Sequence, residues 1–551
     1  MLQSMEETNQ DNMKADLKET KEEIITETEE DMEERKISLG DFCEEAASLL
    51  LMAYMFILFC LYPFYMKNGY VEIGSAKFSF YRDITIGAFC LIVPIAIIAV
   101  GCRVKKNKKL EMPKLSFIDV AVALYGISVV VSYLFSEFKW AAVWGERGWN
   151  LGVVTQLLFV VSYFLISRFW EYEENILYAF MAAAIGVFGM GILNRFSIFP
   201  IAIEGAHSSF ISTLGNINWY CGYFSVLFPI GFCLYWFTNV KWQKAVAAVF
   251  TVVGIATGVS QGSSSAFIVF VGIYLFLFCL SFSSIGKMKR FFELIILFCL
   301  TCQGLRIWRL LIPDAFDYYS GTLSDWITMS RATLFVLVPA VIIYILLLLV
   351  DRKKTMDIHN YKILRQILLL FVVITIGVYV MLLFINSGIQ SGIRFMGNQA
   401  ALNFTEYWGS SRGGTWMAGI DIFRRMNGVD KLIGVGPDCF ATYLYTLPDV
   451  TKRVLDQFGE ARLTNAHNES LTVLVNNGFL GLISYTSIFI GAIIRFINKA
   501  EKEKKVFLFI FAISTFSYMI HNIVSFQQIL STPFIFIMIG MGEQLARKEH
   551  E

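Results

Sequence analysis

DITIGAFCLIVPIAIIAVGCRVKKNKKLEMPKLSFIDVAVALYGISVVVSYLF, residues 83–135, decides the fold. It holds two apolar runs, each near the roughly 20 residues that carry a helix across a hydrocarbon core. Between them lies RVKKNKKLEMPK (103–114), too basic to enter that core. A chain that does this once has crossed and returned. Working outward, about fourteen such runs can be found by the same length and hydropathy criterion. They start near Ala46, Asp83, Phe117, Leu151, Ile176, Asn216, Ala245, Ser263, Phe291, Ala332, Ile363, Glu469, Val506 and Thr532. The expected fold is therefore all-α and polytopic, with about 12–14 transmembrane helices counted this way.

Composition agrees. Of 551 residues, 56% are hydrophobic, 15% aromatic and 17% charged, with a mean hydropathy of +0.58. A soluble domain carries about a quarter charged residues. Much of the charge is also segregated: residues 1–44 hold fifteen Asp and Glu against five Lys and Arg, leaving an apolar, mildly basic body. This acidic tail lacks the apolar surface to offset ordering entropy and is expected to be disordered. Nothing in this balance points to nucleic acid. The other basic clusters are Lys241 with Lys244, GKMKR (286–290), DRKK (351–354) and KAEKEKK (499–505). Counting spans puts all of them, the 103–114 loop and both termini on one side, which the positive-inside rule makes cytoplasmic. The expected location is thus the cytoplasmic membrane. The expected divisions are the tail, a bundle over 45–386, a large outer loop over 387–466 and closing helices over 467–546.

That loop is too long for a bare connection. GTWMAGIDIFRRM (414–426), apolar at Met417, Ile420 and Phe423, and PDVTKRVLDQF (448–458), apolar at Val450, Val454 and Phe458, read as short amphipathic helices. GVGPDCF (434–440) between them is rich in turn formers. The loop is expected to form an ordered cap.

Polar residues gather at this outer side. His467, in NAHNES where the loop enters a span, can stay near a pKa of about 6.5 and accept a proton. Arg412 in SSRGGTW stands at a glycine-rich turn before a helix containing Trp416, a combination of guanidinium fork and free amides suited to phosphate. Arg147 in WGERGWNLG (144–152) opposes the charge bias of the outer side. Asn216 and Asn218 open a span, where such residues commonly cap the helix. Cys299 and Cys302 form a C-x-x-C with no second pair or clustered His, so no zinc site is expected.

In this order and topology these elements resemble the O-antigen ligase and O-antigen polymerase family. They are the WGERG element at Arg147, GN-x-N at 215–218 with Pro229 beyond, R-x-x-x-W at Arg412 and Trp416, and G-V-G-P at 434–437. H-N-x-x-L with G-x-x-G (His467, Asn468, Leu471, Gly478, Gly481) follows. The resemblance covers about residues 140–540, with a core at about 245–495. It implies a membrane glycosyltransferase that is inverting, metal-independent and free of cofactors. Such enzymes transfer or polymerise glycan from undecaprenyl pyrophosphate onto an acceptor hydroxyl, on a glycan or a lipid-anchored molecule, at the outer membrane face. It implies that His467 activates the acceptor and that Arg412 and Arg147 hold the pyrophosphate, with Asn216, Asn218, Trp416 and Asn468 in the substrate site. No D-x-D pair is visible in the outer loops, consistent with arginine in place of a cation. Two departures stand out. Gln261, in TGVSQGSSS (257–265), occupies the arginine position of a T-x-S-R-G pattern, and Asn476 or Asn477 stands where a glutamate is common. The alternative function, a flippase for lipid-linked sugars, calls for related halves and midplane polar sites. No repeat is visible, and the polar residues lie at one surface.

Overall fold

The computed structural model describes residues 38–107, 114–205, 209–313, 323–353, 359–388, 403–503 and 505–547. The first 37 residues of the acidic tail, the middle of the 103–114 loop and the start of the outer loop lie outside these.

The first helix, α1 (Leu39–Phe56), starts inside the acidic segment because Ser38 Oγ accepts the Asp41 N–H. It widens through a π turn (Ile57–Leu61) and then tightens into a 3₁₀ turn (Tyr62–Phe64). The carbonyls of Tyr62 and Pro63 accept from the buried Lys77 Nζ at 3.1 and 2.9 Å, so a lysine side chain caps a helix end inside the bundle. Then follow α2 (Ile73–Asn107), α3 (Phe117–Phe135), the short α4 (Lys139–Trp144), α5 (Val153–Phe169) and α6 (Asn175–Arg195). A two-stranded antiparallel ribbon, β1 (Phe210–Ile211) with β2 (Gly215–Asn216), pairs Phe210 with Asn216. After it come α7 (Ile217–Phe237), α8 (Lys241–Ser260), α9 (Ser264–Ser281), α10 (Ile285–Leu311), α11 (Leu323–Met329), α12 (Ala332–Lys353) and α13 (His359–Gly388). The cap comprises α14 (Trp408–Arg425), α15 (Gly428–Ile433), α16 (Phe440–Leu444) and α17 (Pro448–Phe458). The chain closes with α18 (Glu469–Glu503), α19 (Val506–His521) and α20 (Thr532–Arg547).

Eleven helices among the described residues are long and apolar enough to cross a membrane, and α5 and α19 are shorter apolar helices. The chain is an all-α polytopic membrane protein, as its apolar runs require. Helix α7 is apolar all round and 94% buried, the mark of a central helix, whereas α12 is 11% buried and α13 presents its apolar surface outward. The ion pairs with the most buried carboxylates sit at the end of the bundle away from the cap. Arg168 and Arg547 meet Asp119 and Arg495 meets Glu543, while Arg103 with Glu44 and Lys289 with Asp351 form more exposed pairs.

The cap stands at the opposite end on its own apolar core, which includes Ala418, Ile422, Met426, Phe440, Val450, Val454 and Ala466. One reading needs correction here. Helix α14 buries Ala418, Ile422 and Met426, while Ile420 is exposed. The cause is small residues: a Cβ at Gly419 would stand 2.7 Å from Leu471 Cδ2, so the helix presses its glycine and alanine face against α18. Helix α17 follows its sequence, with Val450 and Val454 inside.

Candidate functional site

A cavity of about 320 Å³ opens at the cap end, lined by the ends of elements far apart in sequence. From the cap come Ser410, Ser411, Arg412 and Thr415, from the entry to α18 comes His467, and from the bundle come Arg195, Asn218 and the 262–264 turn. Among the described residues two arginines and no carboxylate line it. Its size is that of a small-ligand site.

Arg412 owes its place to a turn. Gly409, Ser410 and Ser411 are all left-handed, with φ of 61°, 61° and 67°, so regular helix starts only at Arg412. Two consecutive serines in that region are costly for L residues. Gly413 must be glycine, because a Cβ there would run into the Thr405 carbonyl. The guanidinium donates from Nε to the Val524 carbonyl and from Nη1 to the Gly409 carbonyl, both at 2.9 Å. Both acceptors are neutral. The charge is fixed in direction yet uncompensated by any carboxylate ion pair among the described residues, the arrangement expected of an anion ligand.

His467 is likewise held in a left-handed conformation, φ 47°. Its N–H donates to Asn465 Oδ1 at 3.0 Å, and the Ala466 N–H donates to Thr472 Oγ1 at 3.2 Å. From the cap, Thr415 Oγ1 donates to the Ala466 carbonyl at 2.8 Å and Trp416 Nε1 to the His467 carbonyl at 3.4 Å. The imidazole stands edge-on to Phe526, with centroids 5.1 Å apart. Burial first, and the Arg412 cation second, push its pKa down to about 4. The ring is therefore neutral at physiological pH and a weaker base than the pKa of about 6.5 expected from the sequence would make it.

The other sequence-derived residues separate. Asn218 lines the cavity, and its N–H donates to Asn216 Oδ1 at 2.8 Å. Asn216 itself is the cap of α7. Trp416 packs on Trp408, 5.4 Å between centroids, and acts on the His467 turn rather than lining the cavity. Asn468 ties that turn to the end of α19, its Nδ2 donating to the Ile523 carbonyl at 3.0 Å and its Oδ1 accepting the Leu471 N–H. Arg147 is not brought to the cavity. It is 80% exposed and pairs with Glu72 at 2.6 Å. Its loop is anchored from below by Asp438, whose Oδ2 accepts the N–H groups of Glu146 and Leu151 at 2.8 and 3.0 Å. Burial pushes that carboxyl up to about 7.

Two neighbours place His467 along the bundle. The Val435 and Gly436 N–H groups donate to the carbonyls of Val475 and Asn476 at 3.1 and 3.0 Å, fastening the 434–436 segment of the cap onto α18. Gly478, left-handed at φ 68°, kinks α18 where the Leu432 backbone approaches. Asn477 Nδ2 reaches Gln156 Oε1 at 3.3 Å. A residue that sequence reading passed over is Arg195. An arginine at the outer end of a span opposes the charge bias just as Arg147 does, which was the available signal. Among the described residues no group of three or more His, Cys, Asp or Glu is placed to hold a metal ion.

These features define a polytopic membrane protein with a cationic, hydroxyl-lined cavity under an ordered cap. Residues 326–486 match the family model described as O-antigen ligase, so this part of the chain is similar to that family. The match includes Arg412 and His467 and carries a glycosyltransferase-like role in polysaccharide assembly, with lipid-linked glycan substrates. Arg195, Asn218 and Ser263 lie outside it. No curated protein matches the chain.

Proposed function

We propose that the protein transfers glycan from a polyprenyl diphosphate to an acceptor hydroxyl at the outer face of the cytoplasmic membrane, as a ligase or polymerase. The carrying observation is the meeting of Arg412 and a neutral His467 in one cavity at the cap end. The acceptor oxygen attacks the anomeric carbon and its proton passes to the imidazole. The bond from that carbon to the diphosphate breaks with inversion, and the electron pair leaves on the diphosphate. Arg412 meets the charge that gathers there, as a fixed cation does best when water is excluded. Asn218 lies within the cavity to orient substrate. Asn216, Trp416 and Asn468 act through the turns they hold.

The test is a reconstituted assay in proteoliposomes with undecaprenyl-diphosphate-linked glycan and acceptor. Glycan joined to acceptor, with undecaprenyl diphosphate released, supports transfer. Translocation of intact donor without any bond cleavage would establish the flippase instead. Orientation is tested by cysteine labelling in a Cys-depleted background. An impermeant reagent should reach a Cys at Asp449 and not one at Lys106.

A further inference from the structure

We infer that Arg195 is the second diphosphate ligand of the cavity. The inference rests on the diphosphate donor proposed above and adds a residue that neither the family match nor the motif order reaches.

Arg195 is the last residue of α6 and is 4% exposed, yet it lines the cavity. Its Nη2 donates to the Gln261 carbonyl at 2.5 Å, which fixes the guanidinium beside the turn leading into α9. The residue after Gln261 packs closely on the guanidinium. Gly262 has φ 93°, and a Cβ there would stand 3.4 Å from Arg195 Nη2. Ser263 caps α9, and Ser263 and Ser264 line the cavity with it. One wall of the cavity thus offers a guanidinium, two hydroxyls and the start of an 18-residue helix, a combination that favours an anion. The cap wall offers Arg412 with Ser410 and Ser411. Both guanidinium-bearing side chains line this one cavity of about 320 Å³. Two cationic walls facing one cavity suit two linked phosphates better than one.

The arrangement also accounts for Gln261. Its side chain is occupied with the turn: Oε1 accepts the Ser263 N–H at 2.7 Å and Nε2 donates to the Ser263 carbonyl at 2.7 Å. Its carbonyl holds Arg195. A cation is thus delivered from α6 to the segment where the sequence pattern led one to look for an arginine.

The experiment is inorganic pyrophosphate binding to the full-length protein in detergent, followed by calorimetry and by the rise in Tm, with orthophosphate in parallel. Wild type should bind pyrophosphate more tightly than orthophosphate. Arg195→Gln and Arg412→Gln should each weaken pyrophosphate at least about tenfold, the scale of one charge-assisted fork. Arg424→Gln, outside the cavity, should match wild type. Because Arg195 is buried, Arg195→Lys guards against misfolding. It keeps the charge and one bond to Gln261 but loses the fork, so it should fold and bind pyrophosphate several-fold more weakly. Wild-type affinity in a folded Arg195→Lys or Arg195→Gln protein overturns the inference, as does a wild type that prefers orthophosphate. Pyrophosphate binding needs no glycan transfer, so the two proposals fail separately. Arg195-dependent binding without transferase activity would sink only the function. Transfer with pyrophosphate binding indifferent to Arg195 would sink only this inference.

Discussion

Two sets of largely buried arginines, at opposite ends of the bundle, are used in opposite ways. At the basic end, Arg168 and Arg547 converge on Asp119 and Arg495 holds Glu543, both carboxylates having fully buried side chains. At the cap end, Arg412 donates to two backbone carbonyls and forms no ion pair among the described residues. Buried charge is expensive unless it is paired or meets a ligand. A paired arginine is committed to structure: Asp119 and Glu543 tie α3, α5, α18 and α20 together. An arginine held by neutral acceptors keeps its charge for something that arrives. The contrast separates the residues that hold this protein together from those that give it chemistry.

The largest effect expected is at His467. His467→Ala should leave expression and membrane insertion intact while lowering glycan transfer by roughly 10²–10⁴-fold, the worth of a positioned acid–base group. Pyrophosphate binding should survive. Wild-type turnover in this variant would leave the histidine with a purely local structural role.

Next is Arg412. Arg412→Lys should impair transfer nearly as much as Arg412→Ala, each by about 10²-fold, because a point charge does not replace a guanidinium held by Val524 and Gly409. Arg424→Ala should be nearly silent. Full activity with lysine at 412 would mean that the fork does not matter.

The basic end should behave in the reverse manner. Asp119→Asn leaves Arg168 and Arg547 without their shared carboxylate and should cost about 3–5 kcal/mol, the scale for breaking a buried pair. Thermal unfolding in detergent measures it. Folded molecules should keep the wild-type KM for donor, because Asp119 lies at the other end of the bundle. A raised KM with an unchanged Tm would erase the distinction between the ends.

How much of this was legible in sequence depends on how local each signal was. The spans were readable because a run of apolar residues is its own evidence: eleven of the fourteen runs begin within about four residues of a helix start, while those at Ala46, Asp83 and Phe291 begin well inside α1, α2 and α10. His467 and Arg412 each stood in a string whose turn chemistry marks them. Arg195 was not legible as a partner, since only the fold brings the end of α6 to the start of α9. Arg147 looked equivalent to Arg412 by motif, but sequence could not foresee that Glu72 would lie 2.6 Å away. The buried face of α14 was misread because apolarity was followed where smallness decided: Gly413, Gly414 and Gly419 let neighbouring groups come closer than Ile420 would.

The smallest effect is the most diagnostic of Arg412 as a charge held for a ligand. In the free protein, burial and then Arg412 push His467 down to about 4. The acid limb of kcat/KM, which reports the free enzyme, should therefore lie near 4 rather than near the usual 6.5. When a diphosphate binds, its negative charge compensates Arg412 and faces the imidazole, and both effects favour the protonated ring. The acid limb of kcat should then lie at higher pH than that of kcat/KM, so the donor itself makes His467 a better base. Arg412→Gln removes the second cause of the depression but not the first. It should move the kcat/KM limb upward while leaving it below 6.5, and should shrink the gap between the two limbs. Coincident limbs in the wild type would mean that the donor's charge never reaches the Arg412–His467 pair, and the cap-end arginine would lose its distinction from those at the basic end.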